Sequence, residues 1–352
     1  MRRRESGFSL LELMIALVIV AFVLAAASTF FVGVVKQYKV QSKITESNVE
    51  GVIGLELMRQ DIESLGFGLP WDMSTFSYTE PDPSPGLSTD PPRAVGSVNG
   101  TDNSDYLIIR SARVGMASAA GKWTTLRSGS QVRIWGSAEE DLGLNDRVIV
   151  FSPGGANSPS RVLLTGGATF GIDGAGLPSA SVPVESVQTN IVYGIDNVDL
   201  KRPFSRADYY IANNPAYPPA YLTPRHCASN TGVLVKAVRA HDDSGTRNLL
   251  PLLDCVADLQ VVYGLDTDAD GVVNTWTDTI GTLTADDIRT RLVELHVHIL
   301  AQVGQRDDSY TYPYDNVSVG SEGFARNVPV STYKHYRWKV YNIVVKPKNL
   351  AN

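Results

Sequence analysis

Residues 1–35, MRRRESGFSLLELMIALVIVAFVLAAASTFFVGVV, decide the fold of this chain. Three arginines precede an apolar run, and no charged residue occurs from Leu13 to Val35, a length sufficient for a membrane span of about 20 residues. A carboxylate, Glu12, stands at the start of that run, although a charged side chain within a bilayer costs roughly 2.5 to 3.5 kcal/mol. We therefore expect Glu12 to have a cationic partner.

Three interpretations of this segment differ in how they treat Glu12. A secretory signal would use the Ala25-Ala26-Ala27 triplet for cleavage, but the apolar core of such signals is short and has no role for a carboxylate. A plain membrane anchor has no role for Glu12 either. Cleavage between Gly7 and Phe8 would create an α-amino group four residues before Glu12, on the same helix face. This third interpretation gives the carboxylate its partner.

The segment Gly7-Phe8-Ser9-Leu10-Leu11-Glu12, preceded by arginines and followed by an apolar run, resembles the leader of type IV prepilins and pseudopilins. The resemblance implies a leader peptide at 1–7, cleavage between Gly7 and Phe8 by a prepilin peptidase, and N-methylation of Phe8. It also implies that Glu12 pairs with the Phe8 amine of an adjacent subunit during assembly.

Apolar residues continue at helical spacing beyond the apolar run. The predicted helix ends before Gly66, Gly68 and Pro70, which are residues typical of helix termination. We predict one helix over 8–65, with 13–35 transmembrane and 36–65 packed on a head. Proline is absent from this range, so the usual cause of a kink is missing.

Two further segments complete the predicted organisation. Residues 66–104 are rich in Pro, Gly, Ser and Asp, which predicts an irregular exposed loop. Residues 105–352 contain short β-rich runs separated by turn residues, which predicts a mainly antiparallel head. The resemblance to pilins implies that this head is periplasmic or extracellular. The expected class is α+β, type IV pilin-like, with a long N-terminal helix packed on a β-rich head; whether the head is one domain or two stays open.

The body of the chain is similar to the PilW type of large minor pilins. The similarity rests on four stretches in this order: DYLIIR, LNDRVIVF, DLQVVYGLDTDADG and RWKVYNIVVKPKNL.

The strongest chemical signal after the leader is the aspartate-rich loop at 266–278. Oxygen donors alternate as in calcium loops, with Gly271 at the sixth position, where a sharp turn is needed. The twelfth position, normally Glu, is Thr277, and a carboxylate follows one residue later. The expected Ca²⁺ ligands are Asp266, Asp268, Asp270, Val272 through its carbonyl, Asn274 and Asp278; the alternative is an acidic hairpin turn.

Two other groups of residues were weighed as sites. Cys227 and Cys255 would form a disulfide in an exported protein and would stay reduced in the cytosol. Glu294, His296 and His298 share one face of a predicted strand, which favours a polar, solvent-facing surface over a zinc site.

Composition and motifs argue against two classes of function, nucleic-acid binding and catalysis. The 37 Asp and Glu residues against 31 Lys and Arg disfavour nucleic acid as the main partner. Sequence signatures of nucleophile-and-base catalysis are missing, which favours a protein that is not an enzyme.

The primary hypothesis is therefore a minor pilin, a structural component of a type IV pilus involved in priming or tip assembly. The resemblance implies, as partners, the prepilin peptidase, other minor pilins, the major pilin and a tip adhesin. It places a single-pass protein in the inner membrane with a periplasmic head, and at the pilus or cell surface after assembly. The alternatives are a minor pseudopilin of a type II secretion system and a membrane-anchored calcium-dependent binding module that is never assembled.

Overall fold

The computed structural model describes residues 9–73, 76–80, 91–99, 103–127, 131–154, 160–165, 172–173, 189–212, 223–242 and 245–350. A single helix, α1 (Leu10–Glu63), forms the N-terminal part. Ser9 is its N-cap, and the helix ends three residues before Gly66, whose φ of +75° is left-handed. The predicted long N-terminal helix is confirmed, and it ends at Glu63, two residues before the predicted end at 65.

The remainder is mostly β-structure. The strands in chain order are β1 (Val95–Asn99), β2 (Asp105–Arg110), β3 (Trp123–Arg127), β4 (Gln131–Val132), β5 (Arg147–Ser152), β6 (Val162–Leu163), β7 (Ile172–Asp173), β8 (Asn190–Asp196), β9 (Arg206–Ile211), β10 (Gly232–Arg239), β11 (Arg247–Leu265), β12 (Thr275–Thr277), β13 (Leu292–Val303), β14 (Asn316–Val319), β15 (Arg326–Pro329) and β16 (Arg337–Val345). A short helix, α2 (Ala285–Arg291), lies between β12 and β13.

The strands form two sheets and one hairpin, with antiparallel pairing between all paired strands. The larger sheet has the order β1-β2-β9-β10-β11-β13-β16, with β12 added beside β11. The smaller sheet has the order β4-β3-β8-β5-β6, with β7 beside β5. The hairpin of β14 and β15 packs through Val317 and Val328 in a cluster with Leu300 of β13 and Trp338 of β16. The predicted α+β class, with a long helix and a mainly antiparallel head, is confirmed.

One hydrophobic core joins the helix to both sheets. Met58 and Ile62 of α1 lie in the same buried cluster as Ile299 of β13 and Phe151 of β5. The second half of α1 contacts β11, β13 and β16. Because burial of apolar surface is the main stabilising term in folding, this shared core makes α1 an integral part of the head.

The segment 66–104 differs from the exposed loop that was predicted. Leu69 and Met73 are buried in the core, and β1 forms one edge of the larger sheet. The composition favoured a loop because proline interrupts regular structure, yet a few apolar residues between the prolines supply enough burial to order parts of it.

The β-rich runs recognised in the sequence between 105 and 352 do not include β3, β7, β9, β12 or the β14–β15 hairpin, and α2 was not predicted either. The buried strand β9 is RADYYI, which combines charged and aromatic residues and does not alternate. Asp208 is buried with partners on β10 and β2, and Arg206 pairs with Glu80 as well as with Asp208. The distant partners cannot be identified from local spacing.

Candidate functional site: the ends of the long helix and the aspartate loop

The N-terminus of α1 is closed by reciprocal hydrogen bonds between Ser9 and Glu12. The backbone N–H of Ser9 donates to the Glu12 carboxylate at 2.9 Å, and the Glu12 N–H donates to Ser9 Oγ at 3.2 Å. This arrangement is a capping box, which satisfies two N–H groups that the first turn leaves unpaired. Gly7 and Phe8, the predicted cleavage and methylation residues, lie outside the described residues.

The first half of α1 is not covered by the described part of the head. Residues 10–34 are all exposed, among them Leu13, Phe22 and Phe31. An apolar window in this helix is long enough to cross a membrane and has no buried residue. An apolar surface of this extent requires lipid or other apolar helices around it.

The second half of α1 approaches the head most closely at Gly54. A Cβ atom at this position would overlap the backbone carbonyl of Leu252 in β11. Glycine therefore permits a helix-to-strand distance that no other residue would allow. The helical pattern of the sequence gives no sign of this close approach.

A polar contact follows two turns later. The Asp61 carboxylate accepts hydrogen bonds from Lys236 Nζ of β10 at 2.5 Å and from the hydroxyl of Tyr209 of β9. Burial raises the pKa of the Asp61 carboxyl, and Lys236 and Tyr209 offset part of that effect. A buried acid paired with one lysine fixes the orientation of the helix on the sheet, since a rotation would leave both charges without a partner.

The aspartate loop follows β11 and is organised by Asp266. Its carboxylate accepts hydrogen bonds from the N–H groups of Ala269 and Gly271, each at 2.7 Å. Partial burial opposes ionisation of this carboxyl, but the N–H donors of Gly271 and Ala269 outweigh it, and its pKa is lowered. Gly271 has a φ of +84°, as expected for the sharp turn at the sixth position.

The loop brings together three of the predicted cation ligands. Ligand oxygens of Asp266, Asp268 and Asp270 lie within 4.8 Å of one another. Asn274 donates to Asp268 at 2.7 Å, so the ninth position also faces the cluster. Hard oxygen donors at such spacing suit Ca²⁺.

The other two predicted ligands, Val272 through its carbonyl and Asp278, stay predictions. Val272 has an exposed side chain, and its N–H donates to Asp270 at 2.8 Å. Asp278 is not among the mutually close carboxylates; its charge acts instead on Asp105, where it contributes to a raised pKa. The loop therefore places three carboxylates and Asn274 together.

Cys227 and Cys255 form the predicted disulfide, with Cα atoms 5.1 Å apart. Cys255 has a φ of +56° in β11, close to an irregularity in its pairing with β10. Both sulfurs are thereby unavailable as thiolates, although His226 lies beside them. The bond joins β11 to the segment that precedes β10.

The polar face of β13 does not face solvent, contrary to the prediction. His298 is buried, and its Nε2 lies 3.0 Å from Ser321 Oγ in the turn of the β14–β15 hairpin. His296 lies 3.2 Å from the same hydroxyl and 2.6 Å from Glu294. The hairpin covers this face, and local alternation cannot anticipate a cover from a distant segment.

Sequence reasoning missed a buried ionic network. Asp208 of β9 accepts hydrogen bonds from Arg206 at 2.6 Å, from Arg239 at 2.8 Å and from the Tyr106 hydroxyl at 2.6 Å. Glu80 pairs with Arg206 and also with Arg110 of β2, at 2.8 Å. Burial, together with the neighbouring Asp208 carboxylate, raises the pKa of Tyr106 well above its ordinary value. The network ties the segment around Glu80 to the larger sheet, because breaking a buried pair leaves an uncompensated charge.

Comparison with protein families gives two matches, on separate parts of the chain. Residues 2–28 match the prokaryotic N-terminal methylation motif, and residues 208–349 match the type IV pilus-assembly protein W family. No curated protein and no solved structure matches the chain significantly. The second match covers β10 to β16, the strands that contact α1 and carry the aspartate loop and the disulfide. The leader match, the PilW match and the architecture of one long helix on an antiparallel head agree, and together they support a minor pilin of the PilW type, within the type IV pilins.

Proposed function

We propose that this minor pilin acts in priming or tip assembly of the filament, after cleavage between Gly7 and Phe8 and methylation of Phe8. The observation that carries the proposal is the division of α1. Its first half is exposed and apolar, and its second half is part of the core of the head. Such a subunit can pack its first half against other pilin helices while it presents a folded head.

Glu12 is proposed to pair with the Phe8 amine of a neighbouring subunit. Its side chain already accepts the Ser9 N–H, so the carboxylate is held at the helix end. Pairing of this carboxylate with an amine in the apolar environment would offset part of the cost of burying each charge. Sliding one helix along its neighbour would separate the carboxylate from the amine. The pair would therefore set the register between adjacent subunits during assembly.

The proposed partners are the prepilin peptidase, other minor pilins, the major pilin and a tip adhesin. The proposed location is the inner membrane, with a periplasmic head before assembly and exposure at the pilus or cell surface afterwards. The Cys227–Cys255 disulfide supports an oxidising compartment for the head.

The aspartate loop is proposed to bind Ca²⁺ through Asp266, Asp268, Asp270 and Asn274. Its support is the closeness of the three carboxylates and the positive φ of Gly271. An affinity at the weak extracellular end, about 10⁻⁴ to 10⁻³ M, is expected.

The first experiment determines the N-terminal mass of the membrane-extracted chain, expressed with and without a prepilin peptidase. A chain that begins at Phe8 only when the peptidase is present supports the proposal. An intact chain, or one that begins after Ala27, contradicts it.

The second experiment measures piliation with Glu12→Ala, using Glu46→Ala as the matched control. Both variants remove a glutamate from α1, and Glu46 is exposed beyond the apolar run. We expect Glu12→Ala alone to abolish assembly.

Equal piliation in the two variants would favour the membrane-anchored calcium-binding module, for which the aspartate loop is the supporting observation. Loss of protein secretion, with normal pili, on deletion of the gene would favour the type II secretion pseudopilin.

A further inference from the structure

The head begins where the apolar run of α1 ends. The run without charge extends from Leu13 to Val35, and Lys36 is the first charged residue after it. Val35 is also the first residue of α1 that the head partly covers, followed by Val40 and Ile44. If residues 13–35 span the bilayer, the nearest part of the head lies at the depth of the lipid headgroups.

A cavity of about 360 Å³ opens at this level between α1 and the loop after β13. The helix contributes Lys36, Gln37 and Gln41, and the head contributes Asp307, Ser309 and Arg337. We call these six residues the basal cavity. Its lining combines two cations, one carboxylate and polar groups, which is the composition expected for a ligand that carries both charges.

Arg337 has hydrogen-bonding capacity that its described neighbours do not use. Its Nη2 donates to Asp307 at 2.9 Å, and its guanidinium lies 4.2 Å from the centre of the Tyr310 ring. Its Nη1 is buried and has no hydrogen-bond partner among the described residues. A buried unpaired donor is unfavourable, and an acceptor that reached it would relieve that cost.

Asp307 is held in its ionised form beside this donor. Hydrogen bonds from Ser309 and Arg337 lower the pKa of its carboxyl to about 2. The carboxylate therefore keeps the Arg337 fork in one orientation and offers an acceptor of its own to an ammonium group.

Tyrosines occur on the same two elements that line the basal cavity. Tyr38 on α1 is exposed, Tyr310 packs under Arg337, and the rings of Tyr312 and Tyr314 lie 5.9 Å apart on the same loop. Tyrosine is enriched at membrane interfaces because its ring enters the apolar region while its hydroxyl remains hydrated. This distribution matches a bilayer surface.

We propose that the basal cavity binds a phospholipid headgroup of the membrane that α1 spans. Lys36 and Arg337 bind the phosphate, Asp307 accepts a hydrogen bond from the headgroup amine, and these tyrosines lie in the interface. The ligand class is a phospholipid with an amine headgroup, such as phosphatidylethanolamine. The inference rests on the proposed membrane anchorage of α1, and it adds a second lipid contact that holds the head upright on the bilayer before assembly.

The test uses the full chain in vesicles of phosphatidylethanolamine and phosphatidylglycerol, with p-benzoylphenylalanine as a photo-crosslinker at one position at a time. Asp308 is 77% exposed beside the basal cavity and is the test position. Leu144 is 73% exposed in the turn before β5 and serves as the negative control, while Phe22 is 73% exposed within the apolar run and serves as the positive control. Adducts are identified by mass.

We expect lipid adducts from positions 22 and 308 and none from position 144. Adducts from position 22 without any from position 308 would overturn the inference and leave the membrane anchorage intact. Absence of adducts from position 22 would contradict the anchorage itself, and the inference with it. A crosslink from position 308 to a second copy of the chain would assign this surface to a protein partner and also overturn the inference.

Charge variants test the phosphate contact. Lys36→Gln is expected to lower the yield of lipid adducts from position 308 about fivefold, because each basic side chain near an anionic membrane surface contributes a comparable factor. Lys346→Gln is the matched control, since Lys346 is exposed near the opposite end of β16. Equal yields from the two variants would show that Lys36 does not bind the headgroup and would overturn its assignment.

Discussion

The two halves of α1 have the same secondary structure and different surroundings. Residues 10–34 are apolar around the whole circumference and exposed, whereas from Val35 onward one face becomes progressively covered, until Gly54, Met58 and Ile62 are fully enclosed. The apolar surface of the first half has to be covered by lipid or by other helices. The apolar face of the second half is covered by the head of the same chain. The difference shows that continuity of a helix does not imply one environment along its length.

The largest expected effect comes from Gly54→Ala. A methyl group there overlaps the Leu252 carbonyl, so α1 would have to separate from β11. We expect a loss of about 4 kcal/mol or more in the free energy of unfolding of the head, measured by urea titration in detergent with near-ultraviolet circular dichroism.

Gly33→Ala is the matched control in the other half, because an added methyl would meet no atom within 4 Å. No loss of stability is expected. Similar losses in both variants would indicate that helix propensity, and not the contact with β11, governs the effect.

The second prediction compares the same substitution in both halves. Ile62→Ala removes a fully buried side chain and should cost about 3 to 4 kcal/mol, whereas Ile19→Ala should leave the unfolding of the head unchanged. The same urea titration measures both. A cost at Ile19 equal to that at Ile62 would refute the division of the helix.

The third prediction concerns pH, since residues 13–35 contain no titratable group and a buried acid in the head gives a dependence that the first half cannot contribute. Burial, together with the nearby Asp258 and Asp278 charges, raises the pKa of Asp105 to about 7. The folded state therefore binds a proton more tightly than the unfolded state, so stability is highest below about pH 4 for this group and falls as pH rises to about 7.

We expect this group to reduce the free energy of unfolding by about 2 to 4 kcal/mol across that window. Asp105→Asn preserves an acceptor for the Val261 N–H and should flatten the dependence, as measured by urea titrations at several pH values. An unchanged slope in the variant would exclude Asp105 as its source.

The smallest expected effect is that of Ca²⁺ on the head. At 10-fold excess over the dissociation constant, ligand binding stabilises the folded state by about 1.4 kcal/mol. The measurement is the shift of the melting temperature on addition of Ca²⁺. Asp268→Asn should abolish the shift, whereas Asp286→Asn, which changes an exposed aspartate outside the loop, should retain it. This result would support the site. Equal shifts in all three proteins would show that the loop is an ordinary acidic turn.

Sequence reasoning predicted some parts of the molecule from local information. The helix was predictable because apolar spacing and the absence of proline act within a few turns, and Glu12 was conspicuous because a charge within an apolar run is costly. The aspartate loop was recognisable because its ligand residues are close in sequence. The covered histidine face of β13 and the network around Asp208 were not predictable, because their partners come from strands far away in the chain.

The sequence by itself determined the membrane-competent first half of α1, the candidate cleavage and pairing residues Gly7, Phe8 and Glu12, and the alternation of the aspartates, since each depends on neighbours along the chain. Only the tertiary structure decided which face of α1 is buried, why residue 54 has to be glycine, and how the head meets α1 at the end of the apolar run. These features arise from long-range packing, in which close approach of two backbones and pairing of buried charges select one arrangement from many that local preference allows.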